Sequence, residues 1–300
     1  MFGGKLRHGV EVRFEFIEFR AYWHGRLNRS DLIDRFGVSQ TQASQDLKAY
    51  QELAPSNLCY DGVDKTYRCA KTFTPRFFDL SADSYLAPLL AMHLGTLEPT
   101  SSWLRTIPPF HVSPTPARAI CPEILRSINQ AREYARAIEI KYQSMSTPQP
   151  SWRWIEPHAY AFDGLRWHVR ALCRRDGVFK DFLLSRIMST RDNDQPSPAT
   201  SSGAQDVDWN TAVTMVIAPH PGLSEGQRQA IRLDYGMDAE DRIQITVQKS
   251  MLNYAVRRLG LDTDPLARRP QDQQIVLLNR DEILGRMATA GSSRNFHEGI

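Results

Sequence analysis

Cations recur at every second position near the start of RWHVRALCRRDGVFKDFLLSRI, residues 166–187. Residues two apart share one face of a β-strand. Arg166, His168, Arg170 and Arg174 therefore form one side, and Trp167, Val169, Ala171 and Cys173 form the other, which reads as core. Lys180 and Arg186 extend the cationic side on the next strand, with Phe182 between them. Guanidinium holds phosphate, bidentately where geometry allows, and an aromatic ring gives a base a stacking surface. The set suits a phosphate-bearing ligand. Strands with one wet side also carry Arg and Lys as a matter of course, so a solvated face stands as the alternative.

A second polar set lies in SQTQASQDLK, residues 39–48. On one helix, Ser39, Gln40, Thr41, Gln42, Ser44 and Gln45 offer donors and acceptors near the N-terminus, the type of groups that read base edges in the major groove. Lys48 lies one turn further on, towards phosphate. The chain holds no GxxxxGK[ST], no GxGxxG after a strand and no HExxH. The acidic run at 238–241 reads as a solvated turn. Cys59, Cys69, Cys121 and Cys173 are scattered, which argues against a disulfide framework or structural zinc. No metal or other cofactor is expected.

Periodicity supplies the elements that hold these residues. Val12, Phe16, Ile17, Phe19 and Trp23 recur at helical spacing, and Gly25 follows as a stop. A short helix capped at Ser30 ends at Gly37. Ser39 caps a third helix, burying Ala43, Leu47 and Tyr50. LCYDGVDKTYRC then reads as a hairpin carrying Lys65 and Arg68. Two helices joined by a tight glycine turn and followed by a hairpin make a winged helix-turn-helix, whose helix after the turn enters the major groove. Residues 1–76 are therefore expected to bind DNA, with the hairpin cations on phosphate.

Residues 77–136 read as a helical connector of the kind that carries dimer contacts. It has a helix capped at Ser81, a kink or break at Pro88, a Pro-rich stretch, and a helix with Ile124, Leu125 and Ile128 on one side. From 137 the period changes to two, and strands joined at Asp163-Gly164 and Asp176-Gly177 point to a small barrel or curled sheet over 137–191. Residues 192–208 have the composition of a disordered linker. A strand-helix-strand-helix-strand order over 209–285 describes a small α/β module, followed by a mobile tail over 286–300.

At 300 residues, with 41% hydrophobic and 24% charged content, the chain suits a soluble protein of several domains. It has no apolar run of membrane-spanning length and no signal-peptide core at its start, so a cytoplasmic location away from membranes is expected. The net charge of +3 is unevenly spread, at +3 over 1–76, −1 over 77–130, +5 over 131–191 and −4 over 192–300. The two positive segments contain the two polar sets, and both are candidates for anionic partners.

The winged helix-turn-helix, the segments WRWIEPHAY, RWHVRA and DFLLSRI, and the α/β extension together resemble the WYL-domain transcriptional regulators over nearly the whole chain. The likeness is to the repressor-type members beside BREX and CBASS anti-phage operons. It implies an Sm-like, SH3-type β-barrel that senses a nucleic-acid or nucleotide ligand, and a C-terminal extension that assists dimerisation or regulation. Trp167, His168 and Val169 stand at the family's Trp-Tyr-Leu, His158 at its Pro-His step and Arg186 at its closing Arg-Ile. Leu183 and Ser185 stand where many members carry arginine and aspartate. The expected protein is an α+β multidomain homodimer that represses from an inverted-repeat operator. Its expected ligand set is His158, Arg166, His168, Arg170, Arg174, Lys180, Phe182 and Arg186. Readings of another class are a nucleotide-processing enzyme, with His158 or His168 as acid/base, and a single-stranded RNA-binding module.

Overall fold

Phe14, Phe16, Ile17 and Phe19 are all buried on the first helix, α1 (His8–His24), in a computed structural model that describes residues 8–116, 118–191 and 202–291. The chain parts into two compact units, Met1–Thr115 and Pro116–Ile300. In the first unit, Gly25 takes φ 71°, in the left-handed region that glycine tolerates. The chain thereby turns into β1 (Arg26–Leu27), a strand too short for any periodic signal. α2 (Arg29–Phe36) starts at Asn28 rather than Ser30, because the Asn28 N–H donates to Asp31 Oδ2 at 2.6 Å. Gly37 ends it, and Ser39 Oγ accepts the Gln42 N–H at 3.1 Å to cap α3 (Gln40–Leu53). Ala43, Leu47 and Tyr50 are buried as expected. β2 (Leu58–Asp61) and β3 (Thr66–Cys69) form the wing, joined by β1 in the antiparallel order β1-β3-β2.

Fully buried Glu18 fastens the chain beyond the wing to this core. It accepts the Tyr50 hydroxyl at 3.0 Å and the backbone N–H groups of Arg76, Phe77 and Phe78 at 2.9, 2.8 and 2.9 Å. A buried carboxylate persists when it is bonded in this way. α4 (Ala82–His93) runs through Pro88 without a break. Leu89 on α4 and Leu104 cluster with Phe19, so the first part of the expected connector packs on α1.

The second unit starts with α5 (Pro122–Glu133), whose Ile124, Ile128 and Ala131 lie in the core of a five-stranded sheet. Its strands are β4 (Ile138–Tyr142), β5 (Ser151–Phe162), β6 (Trp167–Cys173), β7 (Val178–Leu183) and β8 (Ile187–Arg191), in the antiparallel order β7-β6-β5-β4-β8. Pro157 is accommodated where the β5–β6 register shifts, between Pro157 and Ala159. Among the described residues no ladder joins β7 to β8, so the expected closed barrel is replaced by an open sheet.

Part of the expected linker lies outside the described residues. From residue 202, the chain makes a 3-10 turn and α6 (Val207–Asn210), with Asp206 buried between them. β9 (Ala212–Pro219), α7 (Glu225–Tyr235), β10 (Ile243–Gln248), α8 (Leu252–Arg258) and β11 (Ile275–Leu277) follow in the expected order. Their sheet is antiparallel throughout, β10-β9-β11. A last helix, α9 (Arg280–Gly291), stands where a mobile tail was expected to begin, and its Ile283 is fully buried in the domain core. Residues 292–300 lie outside the described residues.

Candidate DNA-reading helix and anion cleft

α3 presents Ser39, Gln40, Thr41, Gln45 and Lys48 to solvent. Gln42 and Ser44 are half-buried and already engaged. Gln42 Nε2 donates to Asp46 Oδ1 at 2.9 Å, and Ser44 Oγ donates to the Gln40 carbonyl at 2.9 Å. Asp46 in turn accepts Arg13 Nε and Nη2 at 2.6 and 3.1 Å, which fixes α3 against α1. The amide and hydroxyl side chains left open along α3 therefore narrow to Gln40, Thr41 and Gln45. At the wing, exposed Arg68 is held by Asp61 at 2.8 Å and also by Asp64, so much of its charge is answered within the hairpin. Lys65 sits at the tip with φ 51°. Exposed Arg26 pairs in register with Arg68 across β1–β3, and Arg29 Nη1 reaches Ser44 Oγ at 3.3 Å. These two cations flank helix and wing, and the sequence reading did not include them.

In the second unit the face opposite the sheet core is covered, not wet. Val169, Ala171 and Cys173 point into the core as expected, yet His168 and Arg170 on the other side are 2% and 1% exposed. Arg170 Nε and Nη2 donate to Asp206 at 2.7 and 2.9 Å, and Nη1 donates to Asp181 at 3.1 Å. Asp206 also accepts the Trp209 N–H at 3.1 Å and bonds His158 Nε2 at 3.0 Å. Burial alone would raise the Asp206 pKa, but the hydrogen bonds from His158 and Arg170 hold it well below the usual carboxylate range. Arg170 is pushed the other way, above its ordinary value, because its two carboxylate partners outweigh its burial.

A cleft of about 480 Å³ opens beside this network, within the usual range for small-ligand sites. Arg166, His168, Lys180, Phe182 and Arg186 line it, while His158, Arg170 and Arg174 do not. Arg186 lies on the 3-10 turn after β7, not on a strand. Phe182 is 2% exposed and packs edge-on against Tyr142, so it belongs to the core and offers no open stacking face. Trp167, expected in the core, is 48% exposed beside its register partner Phe162. Most of the expected cations are answered locally: Arg166 by Asp163 at 2.7 Å, Arg174 by Glu156 at 2.5 Å and Lys180 by Asp176 at 2.8 Å.

His168 Nε2 lies 3.1 Å from Asp163 Oδ2, and its ring centroid is 5.0 Å from that of Tyr254 on α8. Burial lowers the His168 pKa against the pull of Asp163, so the neutral ring is favoured and its Nε2–H donates. Burial would raise Asp163, but bonds from Arg166, His168 and two backbone N–H groups bring it down to about 2. Tyr254 Oη reaches Asp181 at 3.3 Å, so α8 is tied to the carboxylate that holds Arg170.

Three family models match parts of the chain. Residues 9–91 match the winged helix-turn-helix domain of the BrxR transcriptional regulator, 123–191 match the WYL domain, and 212–283 match the BrxR C-terminal dimerization domain. Proteins named DNA-binding transcriptional repressor CapW align along the chain. The Escherichia coli protein is 38% identical over 92% of this chain and 91% of its own. Those of Stenotrophomonas maltophilia and Pseudomonas aeruginosa are 36% and 37% identical, over 93% and 92% of this chain and 92% and 91% of theirs. The chain belongs to the CapW family. The CapW relatives are repressors and the matched domains are regulatory and dimerisation modules, not enzymes. Among solved structures, the proteasome accessory factor B/C of Arthrobacter aurescens aligns with 98% of this chain and 51% of its own. Its TM-score is 0.27 and its identity 15%, a likeness too slight to carry an argument.

Set on this CapW-type chain, the cleft also takes in Arg153, Arg175, Asn253, Tyr254, Arg257 and Arg258, which the sequence reading missed. Arg153 lies two positions from buried Ile155 along WRWIEPHAY and shares its face, so alternation assigns it to the core side and gives no sign of the cleft. The α8 residues follow β6 by some eighty positions, and only the fold brings them there. Among the described residues no group of three or more His, Cys, Asp or Glu side chains is placed to hold a metal, and no helix is long and apolar enough to cross a membrane.

Proposed function

We propose that this chain is a cytoplasmic homodimeric repressor that binds an inverted-repeat operator of an anti-phage defence operon and leaves it when the cleft takes up a nucleic-acid or nucleotide effector. DNA binding is carried by one observation above the rest. α3 is capped by Ser39 and clamped to α1 through Asp46, while its outer face keeps Gln40, Thr41 and Gln45 open. A rigid helix with open amide and hydroxyl groups suits base-edge reading, and Lys48, Lys65, Arg26 and Arg29 around it suit phosphate positioning. Dimerisation is supported by the C-terminal domain match and by Leu86, Leu90 and Leu94, an exposed apolar stripe at the end of α4. The CapW relatives support the repressor role, and the cationic cleft supports an anionic effector.

Sedimentation of the protein with DNA from upstream of its own gene tests this reading. Two chains per duplex, with both halves of an inverted repeat protected from nuclease, is the expected result. One chain per duplex, or protection without two-fold symmetry, contradicts it.

A further inference from the structure

The cations of the cleft do not share one fate. Asp163 answers Arg166, Asp176 answers Lys180 and Arg175, and Asp181 faces Arg170 behind the wall. Arg153, Arg186, Arg257 and Arg258 are left without a carboxylate partner among the described residues. Arg153 is 5% exposed, its guanidinium over the Tyr142 ring at 5.3 Å, and among the described residues its hydrogen bond is to Ser151 at 3.3 Å. A buried guanidinium held so weakly is costly unless a ligand supplies the anion. Arg257 and Arg258 come from α8, inside the C-terminal domain match. Arg258 lies against the β5–β6 turn where Gly164, at φ 95°, leaves room for it; a Cβ there would collide with its guanidinium.

We propose, on the effector reading above, that the site is bipartite and selects ligands with two or more phosphate groups. Arg153 and Arg186 on the sheet side hold one phosphate, and Arg257 and Arg258 on α8 hold another. Such a ligand ties the sheet to the C-terminal domain, whereas a single phosphate satisfies only half of the unpaired charge. Linear oligonucleotides, cyclic dinucleotides and nucleoside triphosphates share this chemistry.

The test titrates the full-length protein with four probes: thymidine monophosphate, 5′-phosphorylated trithymidylate, cyclic di-AMP and ATP. At least one multiphosphate probe is expected to bind tenfold or more tighter than the monophosphate. The double substitution Arg257→Ala with Arg258→Ala should abolish that preference, bringing the affinity for the multiphosphate probe down to that for the monophosphate. Arg257→Lys with Arg258→Lys should keep part of it. Both positions are exposed, and a thermal melt checks that each variant is folded. Multiphosphate binding that is indifferent to the alanine pair, or no tighter than the monophosphate, overturns the bipartite site alone. If no probe binds the wild type at all, the effector reading falls with it.

Discussion

Replacing Arg170 by Met removes the central cation of a buried triad while keeping most of the side-chain volume. Its guanidinium is 1% exposed, and the side chains of Asp206 and Asp181 are 2% and 3% exposed. The substitution takes the guanidinium from two buried carboxylates, of which one also bonds His158 and the Trp209 N–H and the other also bonds Tyr254. Breaking a buried pair from one side costs roughly 3–5 kcal/mol. For a unit of the size of Pro116–Ile300, each kcal/mol lowers Tm by about 2–4 °C, so a fall of about 6–20 °C is expected. Calorimetry at several pH values adds a signature. In the wild type the Asp206 pKa is depressed, so its contribution is present above the ordinary carboxylate range and is lost as pH falls through and below that range. Without Arg170 that depression weakens, so the Tm gap between variant and wild type should narrow on going from pH 7 to pH 4. A Tm within about 2 °C of wild type, or a gap that stays constant or widens on acidification, would refute the triad as a stabilising network.

Gln45→Ala or Thr41→Ala should relax operator preference, at roughly 1–3 kcal/mol for a good base contact. Arg26→Ala or Arg29→Ala should weaken all DNA and lower the salt slope; mobility shifts on operator and scrambled duplexes at several salt concentrations separate the two effects. Trp167→Ala should cost clearly less than the roughly 3–5 kcal/mol of a full core deletion, because the residue keeps 48% of its surface in water; a loss of that full size in denaturant titration would show Trp167 to be core. Burial, with Arg20 and Arg105 adding to it, pushes the His24 pKa down to about 4, and its Nε2 accepts the Arg105 N–H at 3.2 Å. On acidification the unfolded chain takes up this proton first, so stability should fall from pH 7 to pH 5, and His24→Gln should reduce that fall. An equal fall in the variant would remove His24 as its source.

The winged helix was legible because its signals are local. Gly37, the Ser39 cap, the buried Ala43, Leu47 and Tyr50, and the Asp61-Gly62 turn each act within a few residues. β1 was not, since two residues have no period, and only pairing to Arg68 and Tyr67 defines it. In β6, alternation correctly placed Val169, Ala171 and Cys173 but could not reveal what covers the other face. Asp206 lies 36 residues beyond Arg170 and Tyr254 lies 86 beyond His168, so cations that read as a wet face are buried in ion pairs. Trp167 and Phe182 exchanged roles for a related reason. Trp167 opens its strand at the turn, short of the core, while Phe182, near the end of edge strand β7, packs against Tyr142 in the core.

The central claim, a repressor released through its cleft, is tested most directly by one titration on the operator. Footprinting of the upstream DNA with purified protein is repeated as trithymidylate, cyclic di-AMP or ATP is added. Protection of an inverted repeat that fades with one of these ligands is predicted, along with persistence of the same footprint in Arg153→Gln, which leaves the winged helix-turn-helix domain untouched. A ligand shifts the balance only through unequal affinity for the two states. Release that is equally efficient in Arg153→Gln, or a ligand that binds the cleft and leaves the footprint unchanged, would contradict the account.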